Sequence, residues 1–250
     1  MENTIKFCGL TFNGLDHSTI FQESGQVKFV LTVNSEFIVK AYRDKAFSNL
    51  ISSNHATFDG QIPYFFAKLV AKGLSFKKIS GSDLIYDACL YAKNHKKRVF
   101  LLGGDAESNR LSVLKLRENY GIEIDGFSPC YSPYPFPIDH DQNILNKIIE
   151  YKPDYLFVSF GTPKQEYWIR DHVAFLQQQD VKMVVGCGGT FDFVSGRIKR
   201  APRVIQKVGL EGIWRLLSEP KLFRLKRVLV SLKFFPIFYN YHIAKTLHIR

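Results

Sequence analysis

Short apolar runs alternate along this chain with longer stretches in which apolar residues recur every three or four positions. The runs are too short for helices and are typical of strands buried in a parallel sheet. We predict strands at residues 26–33, 56–58 and 97–102, and two more that begin near Pro153 and Val184. Strands that alternate with helices predict an α/β fold: a Rossmann-like, mostly parallel sheet with helices on both faces.

The segments between the strands predict helices and one long loop. Ser35 is expected to cap the helix that follows the first strand, and another helix is expected after Pro63. Residues 126–137 are rich in proline and aromatic residues and predict a loop, followed by a helix to Tyr151. A helix over residues 165–178 separates the last two strands.

Two segments, 153–168 and 184–202, join a strand to glycines and then to polar residues. Glycine lets the backbone turn sharply or come close to a ligand. Ligands of open α/β sheets bind at the carboxyl ends of the strands, so we expect both segments to line one crevice.

Composition indicates a globular protein, since 46% of the 250 residues are hydrophobic. The four cysteines lie far apart without a CxxC pair, which favours reduced thiols and a cytoplasmic protein. The first six residues lack a basic, apolar leader pattern, so no signal peptide is expected, and no run is typical of a transmembrane span.

Positive charge is concentrated at the end of the chain. Residues 197–250 contain 13 Lys or Arg and 2 Asp or Glu, a balance of +11, which equals the net charge of the whole chain. We therefore predict an α/β domain at 1–196 and a basic helical appendage at 197–250. Such charge favours an anionic partner: lipid head groups, a diphosphate or nucleic acid.

The appendage itself shows a helical pattern. Residues 209–217 predict a helix, and from Pro220 onward cations interleave with apolar residues, as in a basic amphipathic helix that lies on an anionic bilayer. The aromatic residues at 234–241 would suit the membrane interface. The alternative is a helix that packs on the core and solvates its cations.

Ordered motifs from residue 32 to residue 227 resemble a known family. The "PD…GTPKQEYW" and "GCGGTFDFVSGRIKRAP" segments are similar to those of the WecG/TagA/CpsF glycosyltransferases of bacterial cell-envelope polysaccharide synthesis. The resemblance implies an inverting UDP-sugar-dependent hexosyltransferase that acts, without metal or cofactor, at the inner face of the cytoplasmic membrane as a peripheral protein. It implies UDP-N-acetylmannosamine or a related donor, and a saccharide on undecaprenyl diphosphate as acceptor.

The resemblance also implies catalytic residues. Asp59 of Asp59-Gly60 would be the general base that takes the proton of the acceptor hydroxyl. Thr32, Asn34 and Gln165 would position the sugars. From the residues alone, Asp-Gly is also a common turn, and Thr32 and Asn34 also fit strand-end and capping hydrogen bonds.

The same resemblance also implies residues that bind the donor and the acceptor. The predicted donor-binding residues are Gly103, Gly104, Gly161, Glu166, Gly188, Gly189 and Asp192, since backbone N–H groups at helix starts attract anions. The alternatives are that Glu166 only starts a helix and that Asp192 caps the next segment. The predicted acceptor-diphosphate residues are Lys78, Arg200, Arg215, Arg224 and Arg227.

The chain departs from the family pattern in two of these places. Lys78 stands where relatives carry arginine, which keeps the charge but loses the bidentate fork. Trp214 and the later cations are displaced from the pattern. The assignments of Arg224 and Arg227 depend on these two residues sharing a helical face.

Four further questions stay open. Asp139-His140-Asp141 has the DxD spacing of metal-dependent glycosyltransferases, but acids are also expected at the start of a helix. The donor could instead be UDP-glucose or another hexose. A non-enzymatic membrane- or nucleic-acid-binding module would explain the charge. The sequence contains no recognised nucleic-acid-binding motif, however, and we do not expect nucleic acid as a partner. The sequence also leaves open whether the protein forms a homo-oligomer.

Overall fold

The computed structural model describes residues 4–244. The strands in this range are β1 Ile5–Phe7, β2 Leu10–Phe12, β3 Lys28–Val33, β4 His55–Phe58, β5 Val99–Gly103, β6 Ile124–Phe127, β7 Tyr155–Ser159 and β8 Met183–Gly186. The helices before β7 are α1 His17–Phe21, α2 Ser35–Arg43, α3 Lys45–Ser52, α4 Gln61–Val70, α5 Gly81–His95, α6 Ala106–Tyr120 and α7 Ile138–Tyr151. Those after β7 are α8 Lys164–Gln178, α9 Thr190–Val194, α10 Arg203–Lys207, α11 Glu211–Ser218, α12 Leu222–Leu232 and α13 Phe234–Tyr239, with a π-helical turn at Asn240–Ala244.

Six of the strands form one sheet, in the order β4-β3-β8-β7-β5-β6. The pairs β3–β8, β8–β7, β7–β5 and β5–β6 are all parallel. The central strands β5 and β8 are buried along their whole length and β7 is buried except at Ser159, as expected for a sheet covered by helices on both faces. The predicted fold class is confirmed. β1 and β2 form a separate antiparallel hairpin that the sequence did not indicate.

The chain divides into two compact units. The second unit comprises Ile20–Leu31 and Gly81–Lys199. Its core contains the β5, β7 and β8 side chains together with Trp168 of α8. Asp105 caps α6 by accepting the backbone N–H of Ser108, and the left-handed Gly121 ends that helix.

The first unit comprises Met1–Thr19, Thr32–Ser80 and Arg200–Arg250. Its core is aromatic: the rings of Phe12 and Phe58 stack with centroids 3.9 Å apart, and Phe7 contacts Phe58 edge-on. Phe234 and Phe238 of α13 pack against Phe7 from the C-terminal part of the chain. The aromatic residues of 234–241 therefore do not all face outward as we expected, because Phe234, Ile237 and Phe238 are buried in this core.

Element boundaries differ from the prediction in three places. Asn34, not Ser35, caps α2, because the Asn34 side chain accepts the backbone N–H groups of Glu36 and Phe37. The predicted loop at 126–137 begins inside β6, whose four residues are too few for a clear apolar pattern. The helix expected after Pro63 begins at Gln61.

The domain boundary at 196/197 stays a prediction, and the last six residues of the predicted appendage lie outside the described residues. Over residues 4–244, no helix combines the length and the apolar character needed to cross a membrane.

Candidate active site

The two glycine-bearing strand ends lie side by side in the second unit. β7 and β8 are paired, and beyond their ends the Cys187 N–H donates to the Val158 carbonyl at 2.9 Å. The Ser159 hydroxyl donates to the carbonyl of Gly188. The segments at 153–168 and 184–202 thus meet at the carboxyl edge of these strands, as the sequence predicted.

Gln165 holds these two strand ends together. Its Oε1 accepts the backbone N–H groups of Gly161 at 3.1 Å and Gly188 at 3.2 Å. Its Nε2 donates to Glu166 Oε1 at 2.6 Å. Both side chains are only 1% exposed. The Gln165 amide, which we expected to position the sugars, therefore makes hydrogen bonds within the protein, and its function in sugar binding stays a prediction.

Gly186, the last residue of β8, is required by this arrangement. A Cβ atom at Gly186 would lie 2.8 Å from both Gln165 Nε2 and Glu166 Oε1. The two buried side chains occupy the space that any other residue would need, so a larger residue here would displace them.

Gly103 and Gly104 form a tight turn after β5. Both have a positive φ, and a Cβ would meet the ring of Phe160 at Gly103 and of Phe191 at Gly104. The Gly104 N–H donates to the Ser159 carbonyl at 2.8 Å. At Gly104, Gly161 and Gly188, the N–H groups that we expected to face a donor phosphate donate to protein acceptors.

Asp192 belongs to a polar network at the start of α6. It accepts the Ser108 hydroxyl at 2.8 Å, and Arg197 Nη1 donates to the same hydroxyl at 3.2 Å. Arg197 also pairs with Asp105. The capping N–H of Ser108, and after it Arg197, lower the pKa of the Asp105 carboxyl. Asp192 lies inside α9 and does not cap a helix, so the capping alternative was wrong.

The sequence analysis did not select Asp105, Ser108 or Arg197. Asp105 directly follows the Gly103-Gly104 turn and precedes a helical pattern, which is a detectable capping signal. Nothing in the spacing connects it to Arg197, 92 residues later in the chain.

The first unit gathers the predicted catalytic residues at the ends of β3 and β4. The Asp59 N–H donates to the Val33 carbonyl at 2.9 Å, and a Cβ at Gly60 would lie 3.9 Å from the Cβ of Asn34. Phe58, one residue before Asp59, forms a parallel bridge with Lys78. These backbone contacts bring a carboxylate, an amide and an ammonium group to neighbouring chain segments. Thr32, on β3, is buried.

The cations of the C-terminal segment are divided between different environments. Arg224 is buried in the first unit and pairs with Glu219, whereas Arg227 is exposed and binds Glu36 with an Nε–Oε2 distance of 2.7 Å. Glu36 lies in the first turn of α2, two residues after Asn34. Arg200 and Arg215 are half-buried. The structure therefore does not present Arg224 and Arg227 on one exposed face as we expected.

The DxD segment has a structural function in the second unit. Asp141 accepts the Trp168 indole N–H at 2.7 Å and contacts His172 Nε2 at 2.8 Å, which fixes the start of α7 against α8. Over residues 4–244, no group of three or more His, Cys, Asp or Glu side chains is arranged to hold a metal ion.

Comparison with known proteins gives a family match over almost the whole chain. Residues 5–247 match the family model described as "Glycosyl transferase WecG/TagA/CpsF family".

Relatives from three bacteria carry the name N-acetylglucosaminyldiphosphoundecaprenol N-acetyl-beta-D-mannosaminyltransferase. The relative from Bacillus spizizenii is 30% identical over 82% of this chain and 77% of its own length. The one from Staphylococcus aureus is 31% identical over 87% of this chain and 80% of its own, and the one from Bacillus subtilis is 29% identical over 86% and 79%.

Proposed function

This chain belongs to the WecG/TagA/CpsF family of glycosyltransferases, and we propose that it transfers N-acetylmannosamine from its UDP derivative to N-acetylglucosamine on undecaprenyl diphosphate. The activity named for the relatives supports this substrate pair. The observation that carries the proposal is the convergence of Asn34, Asp59 and Lys78 on neighbouring strand ends of the first unit. Family membership also favours an enzyme over a basic binding module.

Asp59 is the general base of the proposed reaction. The acceptor hydroxyl oxygen attacks the anomeric carbon of the donor sugar, and the bond from that carbon to the UDP oxygen breaks. The hydroxyl proton passes to the Asp59 carboxylate, and the electron pair leaves with UDP. Attack opposite the leaving group inverts the anomeric configuration. Thr32 and Asn34 orient the sugar hydroxyls, although Asn34 also caps α2 through its side-chain oxygen.

The donor is assigned to the glycine turns of the second unit. Gly103 and Gly104 bring the backbone close to the start of α6, where a helix N-terminus favours an anion such as a diphosphate. Gln165, bonded to Glu166, holds the turns at Gly161 and Gly188 in place, and Gly189 follows directly in the chain. Asp192, with Ser108, offers oxygen atoms to the donor from the neighbouring α9.

The acceptor is assigned to the cations of the first unit. Lys78 lies beside the Asp59 strand end, and Arg227 is tied to α2 through Glu36, close in sequence to Asn34. Arg200, Arg215 and Arg224 complete the proposed diphosphate set, although Arg224 is buried and paired with Glu219. The remaining basic residues of 197–244 bind the anionic inner face of the cytoplasmic membrane, which places the enzyme there as a peripheral protein.

A donor panel tests the proposal. The full chain is incubated with UDP-N-acetylmannosamine, UDP-N-acetylglucosamine, UDP-glucose or UDP-galactose and a synthetic lipid-diphosphate N-acetylglucosamine, and products are identified by mass spectrometry. We expect one added N-acetylhexosamine, formed with UDP-N-acetylmannosamine, and no need for a divalent cation. A product only with UDP-glucose or another hexose would replace the donor, and no product with any UDP-sugar would overturn the assignment.

A further inference from the structure

Helix α4 of the first unit has an apolar face that no other part of the described chain covers. Phe65 is 53% exposed and Leu69, one turn later, is 49% exposed. Val70 and Leu74 continue this surface and are also exposed. We refer to these four residues as the α4 patch. A surface helix normally turns charged residues outward, yet Lys68 is the only charged residue among the ten of α4.

The segment that carries the α4 patch is rich in lysine and contains no acidic residue. From Gly60 to Ser82 the chain contains four lysines and no Asp or Glu. Lys68, Lys72 and Lys77 are exposed, and the Lys68 ammonium lies 4.7 Å from the centre of the Tyr64 ring. The segment therefore combines exposed apolar side chains with uncompensated positive charge, outside the basic C-terminal segment that dominates the net charge.

The C-terminal helices hold α4 in place. The Phe66 ring, on the inner side of α4, packs against the rings of Phe234, Phe235 and Phe238. At the start of α4, Ile62 lies so close to Gly209 that a Cβ on that glycine would be 2.9 Å from its Cγ1. The α4 patch is thus a fixed surface next to α13 and to the turn before α11.

Only Gly60 separates Asp59 from Gln61, the first residue of α4. The inference rests on the proposed function in taking Asp59 as the general base. We propose that the α4 patch enters the head-group region of an anionic lipid bilayer, with Lys68, Lys72 and Lys77 on lipid phosphates. The docked helix then holds the Asp59 strand end at the membrane surface, where a lipid diphosphate lies. It is an attachment separate from the basic C-terminal segment.

Charge selects the lipid surface over a second copy of this chain. In a symmetric dimer the same patch faces itself, so the lysines of one copy would lie opposite those of the other. An anionic bilayer instead supplies phosphates for the lysines and an apolar interior for Phe65 and Leu69.

Vesicle binding of the full chain tests the assignment. Phe65 and Leu69 are replaced together by serine, and Leu90 and Leu114, exposed residues of the second unit, are replaced by serine as the matched control. Partition is measured by co-sedimentation with vesicles of phosphatidylcholine alone or with added phosphatidylglycerol. We expect the Phe65→Ser/Leu69→Ser variant to lose at least about tenfold in partition to the anionic vesicles, and the control to bind like the unchanged chain.

A second variant tests the contribution of the lysines to vesicle binding. Lys68→Gln with Lys72→Gln should reduce the preference for phosphatidylglycerol while weak binding to neutral vesicles persists. Equal binding of the Phe65→Ser/Leu69→Ser variant and the unchanged chain, at equal thermal stability, overturns the assignment. So does a change from dimer to monomer in gel filtration without a change in vesicle binding, because the patch would then cover a second copy.

Transfer assays separate this assignment from the proposed function. The Phe65→Ser/Leu69→Ser variant should act normally on a short-chain, water-soluble diphosphate acceptor and poorly on a long-chain acceptor in vesicles. If the unchanged chain transfers to neither acceptor but the vesicle result holds, the proposed function fails and the α4 patch stands. If the variant loses activity equally on both acceptors, the patch has no specific membrane function.

Discussion

At the scale of single residues, the fold uses many of the groups that the family pattern marks as functional. Gln165 is buried and ties the β7 and β8 ends together, and Asn34 caps α2. Asp59 lies half-buried at the end of β4, where its backbone N–H donates to the Val33 carbonyl. Of the proposed residue functions, that of Asp59 as general base can be tested most directly.

Replacing Asp59 with asparagine keeps the size of the side chain and removes the base. We expect kcat to fall by about 10²–10⁴-fold, because proton removal from the acceptor hydroxyl is lost. UDP binding by calorimetry and thermal unfolding should stay unchanged. Asp139→Asn, at the exposed DxD segment, is the matched control and should retain full activity. Wild-type activity in Asp59→Asn would show that the base lies elsewhere.

At the scale of elements, the C-terminal segment is anchored to the N-terminal hairpin. His242 of the π-helical turn accepts the Cys8 backbone N–H through Nε2 at 3.0 Å and stacks on Phe7. Burial lowers the pKa of His242 below its ordinary value of about 6.5. The contact needs the neutral imidazole, since a protonated ring has no acceptor atom.

This anchor predicts a pH dependence of stability. As the pH falls below the ordinary pKa, the unfolded chain takes up a proton at His242 before the folded chain does. The free energy of unfolding should therefore decrease on acidification from about pH 7.5 to about pH 5.5, and less so in His242→Gln. Urea unfolding at both pH values measures this. His95→Gln, at an exposed histidine, should behave like the unchanged chain; identical slopes for His242→Gln would contradict the anchor.

At the scale of the whole molecule, the basic C-terminal segment is also part of a hydrophobic core. Phe234, Ile237 and Phe238 are buried in the first unit, which contains Asp59. Loss of one buried Phe typically costs about 3–5 kcal/mol, and the stability of a domain is about 5–15 kcal/mol. Removing the segment therefore affects more than its charge.

A chain that ends at Lys199 should lose transfer because the first unit loses its core. Hydrogen exchange should show unprotected amides in β1, β2 and β4, while β5, β7 and β8 of the second unit stay protected and UDP still binds. The full chain with Lys226→Gln and Lys233→Gln is the control, since it lowers the charge and keeps the core. Transfer by the truncated chain would contradict both the core contribution and the proposed acceptor site.

Much of the fold was predictable from local pattern. The apolar runs at β3, β5, β7 and β8 and the helical periods between them gave the α/β class, because burial on both faces selects continuous apolar strands. The β1–β2 hairpin and β6 were missed, since strands of three or four residues carry too few positions for a period. The requirement for glycine at position 186 could not be predicted from the sequence either, because the side chains that fill the space next to it come from another element, α8.

The sequence by itself determined the family, the order of most strands and helices, and the residue types available for glycosyl transfer. These depend on neighbours in the chain and on ordered motifs. Tertiary structure alone decided which cations are exposed, that Arg227 binds Glu36, and that Phe234 and Phe238 are core residues. The reason is physical: amphipathic periodicity gives each helix an apolar side, but only packing determines whether protein covers that side or, as at α4, leaves it exposed.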